Sequence, residues 1–142
     1  MYEYACEVKR VVDGDTIDVV LDLGFDILHK SRVRLYGIDT PESRTRNLDE
    51  KARGKMAGAY LKEAVEKGEK VVIQTKLKDS RGKYGRVLGN VVVDGVNINE
   101  AMIENFLAVA YFGQSKDDVE AEHLVNREKL IEQGLFNPEE IK

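Results

Sequence analysis

The chain has 142 residues, of which 42% are hydrophobic and 34% are charged, and its formal net charge is −4. This size and composition predict one soluble globular domain spanning 1–142, because a chain of this length can bury a sizeable core. No apolar run is long enough to span a membrane, and the first ten residues lack the pattern of a secretory signal. We therefore expect a monomer without membrane association, either cytoplasmic or a mature form of an exported protein.

The first half of the sequence predicts three strands followed by a helix. Alternating apolar residues mark the strands, and helical spacing of Ala52, Met56, Tyr60 and Ala64 marks the helix, which stops near Gly68. In chain order we predict a strand at 4–12, a tight turn at Asp13-Gly14, a strand at 16–23, a loop or hairpin at 23–31, a strand at 32–38 and a helix at 49–66.

The second half predicts two more strands and two helices. Asn97 or Asn99 is expected to cap the shorter helix and Ser115 the longer one, which ends at Gly134. In order we predict a strand at 70–78, a glycine-rich turn at 79–86, a strand at 87–95 and the two helices at 97–108 and 115–134. Five short antiparallel strands with three helices predict an α+β fold, a closed five-stranded barrel of the OB type with the helices packed outside.

The stretch RLYGIDTPE, from Arg34 to Glu42, changes from a strand to a carboxylate-rich segment within four residues. One interpretation is a helix start, in which Asp39 is the N-cap, Pro41 lies in the first turn and Glu42 reaches back to the cap. The other interpretation is a functional site. The two are compatible, and the stretch alone does not separate them.

A second acidic motif favours the functional interpretation. In VDGDT, Asp15 lies just past a turn that does not need its carboxylate, at the start of a strand. If this strand neighbours the one that ends at Asp39, then Asp15, Asp39 and Glu42 converge, and their mutual repulsion favours a bound cation. With no Cys or His expected beside them, oxygen ligands indicate Ca²⁺, Mg²⁺ or Mn²⁺.

Two arginines and two basic stretches complete the pattern. Arg34 shares its strand with Asp39, and Arg86 closes the glycine-rich turn RGKYGR. Residues 30–55 hold eight bases and four acids, and 76–86 hold five bases and one acid, whereas acids dominate beyond Asp94. Arginine forks grip phosphate oxygens in pairs, so a metal with two arginines suits the charge of a phosphoryl transition state.

These motifs resemble the staphylococcal nuclease (thermonuclease) family. The matching stretches are VDGDT at 12–16, RLYGIDTPE at 34–42, KYGR at 83–86 and INEAMIENFLAVAY at 98–111, in the family's order and spacing over a core of about 4–136. The resemblance implies the OB barrel with three helices. It also implies a Ca²⁺-dependent nuclease that cleaves DNA and RNA, with single strands preferred, at the P–O5′ bond. The products carry 3′-phosphate and 5′-hydroxyl ends, and sequence specificity is low.

The resemblance also implies roles for individual residues. Asp15 and Asp39 match metal ligands through their carboxylates, Thr40 matches a ligand through its backbone carbonyl, and Asp13 matches a nearby acid. Glu42 matches the general base. Arg34 and Arg86 match the two arginines that bind the phosphate. Lys83 and Tyr84 match residues that contact a terminal phosphate, and Tyr111 matches an aromatic of the base pocket.

The sequence departs from the family pattern outside the catalytic set. Gly113 replaces a second base-pocket aromatic, Gly82 replaces an acid, the segment around 22–33 is longer than in the staphylococcal enzyme, and the chain is acidic. Two alternatives stay open: a non-catalytic OB module that binds nucleic acid or peptide, and a structural calcium-binding domain. His29 is expected on a loop surface and His123 at a surface or half-buried helical position, neither in a catalytic role.

Overall fold

The structure is a computed structural model that describes residues 2–75 and 87–141. Its centre is a barrel of five long strands, supplemented by three strands of two residues each. The long strands are β1 (Tyr2–Asp13), β2 (Thr16–Asp22), β3 (Leu28–Leu35), β5 (Val71–Thr75) and β6 (Val87–Val93), and the short ones are β4 (Ile38–Asp39), β7 (Val96–Asn97) and β8 (Val109–Ala110). This confirms the predicted barrel.

The barrel closes through one parallel pairing. The order β3-β2-β1-β5-β6-β7 is antiparallel throughout, and Val33–Leu35 of β3 then pairs in parallel with Val87–Gly89 of β6. The prediction of purely antiparallel strands was therefore wrong at the closure. Closing the sheet removes free strand edges there and places the end of β3, which carries Arg34, against β6.

The loop or hairpin predicted at 23–31 is a hairpin. β3 begins at Leu28, four residues earlier than predicted, and pairs with β2 along its length from Asp22↔Leu28 to Thr16↔Arg34. Side chains therefore alternate along β3: Val33 and Leu35 point into the barrel, and Arg34 between them points outward.

The three helices are α1 (Leu48–Lys67), α2 (Ile98–Glu104) and α3 (Lys116–Glu132), and a short 3₁₀ turn spans Pro138–Glu140. Asn47 caps α1, and the expected caps Asn97 and Ser115 are confirmed for the other two helices. Asn99, the alternative cap, is instead buried, where its amide donates to the backbone oxygens of Tyr36 and Gly89.

The helices cover the barrel and share its core. Asp49 of α1 accepts hydrogen bonds from Arg53 of the same helix at 2.8 Å and from Arg127 of α3 at 3.0 Å, which ties α3 to α1. Fully buried side chains come from both strands and helices, and they include Ile17, Val33, Leu35, Ile73, Val91, Ala57, Leu61, Met102 and Leu130. Within 2–75 and 87–141, no helix has the length and apolar content needed to cross a membrane.

The predicted helix start at Asp39 was wrong. Asp39 lies in β4, Pro41 and Glu42 lie in an irregular segment, and the helix begins only at Leu48. Asp39 is held in place by pairing with Val109 of β8 rather than by a helix. The carboxylates of RLYGIDTPE therefore have no capping role, and the structural interpretation of this stretch loses its support.

Candidate active site

Arg34 lies at the centre of a cluster of charged groups where β3 ends. Its Nη1 donates to the backbone oxygens of Leu35 and Ile38, both at 3.2 Å, so the guanidinium is fixed across the turn between β3 and β4. Nη1 also lies 3.3 Å from Asp15 Oδ2, and Nη2 lies 3.8 Å from Asp39 Oδ1. The structure thus brings Asp15 of one motif together with Arg34 and Asp39 of the other.

Asp15 enters the cluster from the turn between β1 and β2. The Asp13 carboxylate accepts the Asp15 backbone N–H at 3.2 Å, a local bond that shapes the turn, and Asp15 O accepts from Leu35 N at 2.8 Å. Burial raises the pKa of Asp15 to about 7, with the neighbouring Asp13 carboxyl adding to the shift and Arg34 opposing it. A carboxylate in this position is poorly solvated and gains from a nearby cation.

Asp39 has a second partner on the far side from Arg34. His123 Nε2 of α3 lies 2.7 Å from Asp39 Oδ2, and the His123 side chain is 12% exposed. The two carboxylate oxygens therefore face different cations or donors, one toward Arg34 and one toward His123. This contact corrects the expectation that no histidine lies beside the carboxylates, although His123 is half-buried as predicted.

Glu42 is exposed and is positioned by the backbone of α1. A Cβ placed on Gly54 would lie 2.6 Å from Pro41 O and 2.7 Å from Glu42 O, so the helix can approach this segment only at a glycine. Glu50 Oε2 accepts the Glu42 backbone N–H at 3.3 Å. Partial burial raises the pKa of Glu42, and the surrounding carboxylates, led by Asp39, raise it further.

Thr40 is buried between the two acidic segments. A Cβ on Gly14 would lie 3.1 Å from the Thr40 side chain and 2.8 Å from Ala57 Cβ, so the turn of VDGDT packs closely on Thr40 and α1. This packing requires a glycine between Asp13 and Asp15. It explains how the two acidic motifs, at 12–16 and 34–42, come to lie against one another.

Tyr111 and Arg34 each line two clefts. The larger has a volume of about 720 Å³ and is bounded by the segment carrying Glu42 and by α3, including His123. The smaller, of about 370 Å³, is lined by aromatic and apolar side chains that include Tyr36, Leu88 and Phe112. Tyr111 is 46% exposed and its backbone N–H donates to Gly37 O at 2.8 Å, so the ring is available at the rim of both clefts.

Three of the predicted site residues, Lys83, Tyr84 and Arg86, lie outside the described residues. Gly113, which stands in place of an aromatic, lines the smaller cleft beside Phe112. Phe112 is 78% exposed, so an aromatic surface is present at this rim despite the glycine.

The donor chemistry of the cluster fits a hard divalent cation. Asp15 and Asp39 supply carboxylate oxygens, and burial already disfavours the charged form of Asp15. Within the described part of the chain, no group of three or more His, Cys, Asp and Glu is arranged to hold a metal by side chains alone. The two carboxylates leave most of the roughly six to eight ligand positions of such an ion to carbonyl, water or substrate oxygens.

Comparison with known proteins identifies relatives over most of the chain. The family model described as "Staphylococcal nuclease homologue" matches residues 32–134. Endonuclease YhcR of Bacillus subtilis (strain 168) is 31% identical in an alignment of 145 residues that covers 95% of this chain and 12% of the relative. From the same organism, Endonuclease YncB is 38% identical and SPbeta prophage-derived endonuclease YokF is 40% identical, each over 73% of this chain, with 47% and 33% of the relative covered. The chain thus spans less than half the length of each of these relatives.

Proposed function

The chain belongs to the staphylococcal nuclease family, and from this premise we propose that it is a Ca²⁺-dependent nuclease. The proposed reaction is hydrolysis of the P–O5′ bond of DNA and RNA to 3′-phosphate and 5′-hydroxyl ends, with low sequence specificity and a preference for single strands. The observation that carries the proposal is the placement of the Arg34 guanidinium between the Asp15 and Asp39 carboxylates. One domain, with its core at about 4–136, is proposed to hold the complete site.

Asp15 and Asp39 are the proposed carboxylate ligands of the metal, and the Thr40 backbone carbonyl is the third protein ligand. When bound, Ca²⁺ supplies positive charge to a phosphate oxygen and lowers the cost of placing two acids near a phosphodiester. The fit rests on the burial of Asp15 and on the all-oxygen donor set. Because the pKa of Asp15 is raised to about 7, metal binding is expected to displace a proton from this carboxyl.

Arg34 is proposed to bind the phosphate that is cleaved. Its position is fixed by the hydrogen bonds to Leu35 O and Ile38 O, so little reorganisation is needed when the phosphate becomes more negative. Arg86 is proposed as the second arginine. A planar guanidinium can donate to two oxygens of the trigonal-bipyramidal phosphorus at once, which a lysine cannot do.

Glu42 is proposed as the general base. The raised pKa of Glu42 makes its carboxylate a stronger base. The side chain also lines the larger cleft, from which water arrives. Glu42 removes a proton from water as the water oxygen bonds to phosphorus. The P–O5′ bond then breaks, and the departing oxygen takes a proton from solvent to become the 5′-hydroxyl.

The base next to the cleaved bond is proposed to bind in the smaller cleft, against Tyr111. The apolar walls of this cleft suit the face of a base without reading its edges, which accounts for low sequence specificity. Lys83 and Tyr84 are proposed to contact a terminal phosphate of the same nucleotide.

End-group analysis tests the reaction. Digests of 5′-labelled single-stranded DNA and of RNA with Ca²⁺ should yield fragments with 3′-phosphates, whose mobility changes after phosphatase treatment. Fragments with 3′-hydroxyl ends would contradict cleavage at P–O5′. Equal digestion in chelator would contradict the metal requirement, and binding of both polymers without digestion would support the non-catalytic OB module instead.

A further inference from the structure

The tip of the β2–β3 hairpin exposes a cluster of apolar side chains remote from the cleft. Phe25 is 98% exposed, and Leu28, Ile27 and Leu23 are 67%, 55% and 42% exposed. Single exposed apolar residues are ordinary, but a contiguous group on a protruding hairpin marks a contact surface. The tip lies roughly 20 Å along the hairpin from Arg34, since Arg34 is six steps along β3 from Leu28 at about 3.4 Å per step.

The backbone at the tip is unfavourable for the residues that it carries. Ile27 N donates to Gly24 O at 2.9 Å, and the two residues inside this turn, Phe25 and Asp26, have φ of 53° and 59°. This turn conformation normally selects Asn and Gly, whereas a bulky aromatic at positive φ is rare. A fully exposed aromatic at such a position points to a role for the ring outside the fold.

The outward face of β3 connects this tip to the cluster at Arg34. Because β3 side chains alternate, Arg34, Arg32 and Lys30 all point outward, about 6.8 Å apart, and no acid occurs in Leu28–Leu35. Arg32 donates to Asp18 through Nε at 2.7 Å and Nη2 at 3.1 Å, but its side chain remains 49% exposed. This bidentate pair uses Nε and Nη2, so the Nη1 donors of the exposed guanidinium are left for another anion.

A hollow beside the same strand adds a further base. It has a volume of about 520 Å³ and is lined by Lys9, Lys30 and Arg32, with Asp18 as the acid among them. A chain with net charge −4 thus concentrates bases along one line that begins at Arg34. Regularly spaced positive charges ending in an exposed aromatic suit a nucleic-acid strand, in which phosphates and bases alternate.

The charges at the tip argue against a lipid surface as the occupant. Asp22 and Asp26 flank Phe25, and both are exposed, so insertion into an anionic bilayer would bring two carboxylates to a negative surface. A base that stacks on Phe25 needs no positive charge at the tip, because its phosphates lie over Lys30 and Arg32.

We propose that the outward face of β3, from Arg34 through Arg32 and Lys30 to Phe25, binds the part of a single-stranded polynucleotide that extends beyond the cleaved bond. A nucleobase stacks on Phe25, and the basic side chains of β3 contact successive phosphates. This inference rests on the proposed nuclease function and extends it, because it makes affinity depend on the length of the strand.

The test compares a long oligonucleotide with one too short to reach the tip. Fluorescein-labelled dT16 and dT3 are titrated with Ca²⁺ present, in a Glu42→Gln background that prevents cleavage. Phe25→Asn removes the ring with a residue that tolerates positive φ, so the fold is retained or stabilised. Phe25→Trp keeps a stacking ring, and Leu135→Asn is the control, since Leu135 is a 61% exposed apolar residue elsewhere.

Phe25→Asn should weaken dT16 binding about tenfold and leave dT3 binding unchanged, with Phe25→Trp and Leu135→Asn close to the parent. Lys30→Gln should reduce the salt dependence of dT16 binding by about 0.7 in the log–log slope, whereas Lys129→Gln on α3 should not. With Glu42 restored, Phe25→Asn should raise KM for dT16 and leave kcat unchanged.

Three results would overturn the inference and are separable from failure of the proposed function. If the protein with Glu42 intact cleaves both oligonucleotides and Phe25→Asn binds dT16 normally, the path along β3 is wrong while the nuclease proposal stands. The path is equally wrong if Phe25→Asn weakens dT3 as much as dT16. If Phe25→Asn instead abolishes sedimentation with phosphatidylcholine–phosphatidylglycerol vesicles and spares dT16 binding, the tip contacts lipid. Absence of cleavage of any substrate by the parent contradicts the nuclease proposal itself.

Discussion

Two glycines one turn apart on α1 should respond oppositely to the same substitution. A Cβ on Gly54 meets backbone atoms at 2.6 and 2.7 Å, in Pro41 and Glu42, whereas a Cβ on Gly58 meets atoms of Asp13 and Gly14 no closer than 3.8 Å. Both glycines lie inside the helix, where replacement by alanine ordinarily stabilises by about 1 kcal/mol. Gly58→Ala should therefore raise Tm by about 2–4 °C.

Gly54→Ala should lose that gain. Reaching ordinary contact requires the segment carrying Glu42 to move by about 0.8–1 Å, and forced overpacking of this kind costs about 1–3 kcal/mol. The expected net change is a loss of up to about 2 kcal/mol of unfolding free energy. A misplacement of about 1 Å at a catalytic group can lower turnover about 100-fold, so kcat should fall much more than stability.

Urea denaturation followed by circular dichroism, together with kcat on single-stranded DNA, measures both effects for the two variants. Gly58→Ala controls for the change in helix propensity, since it alters the same helix without touching Glu42. If Gly54→Ala were stabilised as much as Gly58→Ala and retained full kcat, the close approach of α1 would not position Glu42, and the reasoning would be refuted.

Three further perturbations address the charged cluster. Arg34→Lys should lower kcat about 100-fold while weakening oligonucleotide binding far less, and equal losses would argue against a transition-state role. His123→Leu should weaken Ca²⁺ binding about tenfold by calorimetry because Asp39 loses its partner. His123→Gln should recover part of the lost Ca²⁺ affinity, and the control His29→Gln should bind Ca²⁺ as the unmodified protein does. Unchanged Ca²⁺ affinity in His123→Leu would contradict the positioning role. In chelator, the unfolding free energy should fall as pH rises from about 4 to 7. Asp15 has a pKa of about 7 in the folded chain and near 3.8 in the unfolded chain. Between these two pH values the folded chain therefore binds one more proton than the unfolded chain, and raising the pH removes that stabilisation. Asp15→Asn should remove this decline in urea titrations, and a decline of the same size in the variant would assign it to other groups.

Local patterns in the sequence predicted most of the fold. Strand alternation and helix caps such as Ser115 depend on neighbouring residues, and the structure confirms them. The start of β3 at Leu28 was missed because LGFDILHKS does not alternate cleanly, and pairing with β2 extends β3 regardless. The helix expected at Asp39 was wrong because pairing with Val109 overrides a local capping pattern.

The candidate site was predicted in part. The motifs indicated Arg34 and Asp39, but the contact of Asp39 with His123 joins residues 84 positions apart, which no local pattern reveals. A weak signal was present, since Val119, His123 and Arg127 are spaced four residues apart and therefore share one face of α3. Gly54 was missed for a similar reason: the approach of α1 to Glu42 depends on tertiary packing, and the sequence shows only a glycine in a helix.

The overall acidity of the chain sets an expectation for its substrate binding. A net charge of −4 provides little general attraction for nucleic acid, so binding depends on the local bases along β3 and in 76–86. Affinity should therefore fall steeply with added salt, and activity comparisons need a fixed ionic strength.

Digestion of single-stranded DNA by the Glu42→Gln variant is the most direct test of the proposed chemistry. It is measured with Ca²⁺ and with chelator, beside the parent protein and a Glu66→Gln control on the exposed surface of α1. We expect cleavage by the parent and by Glu66→Gln that requires Ca²⁺, and a loss of about 100-fold or more in Glu42→Gln with oligonucleotide binding retained. Cleavage by Glu42→Gln at the parent rate would contradict the role of Glu42 as general base.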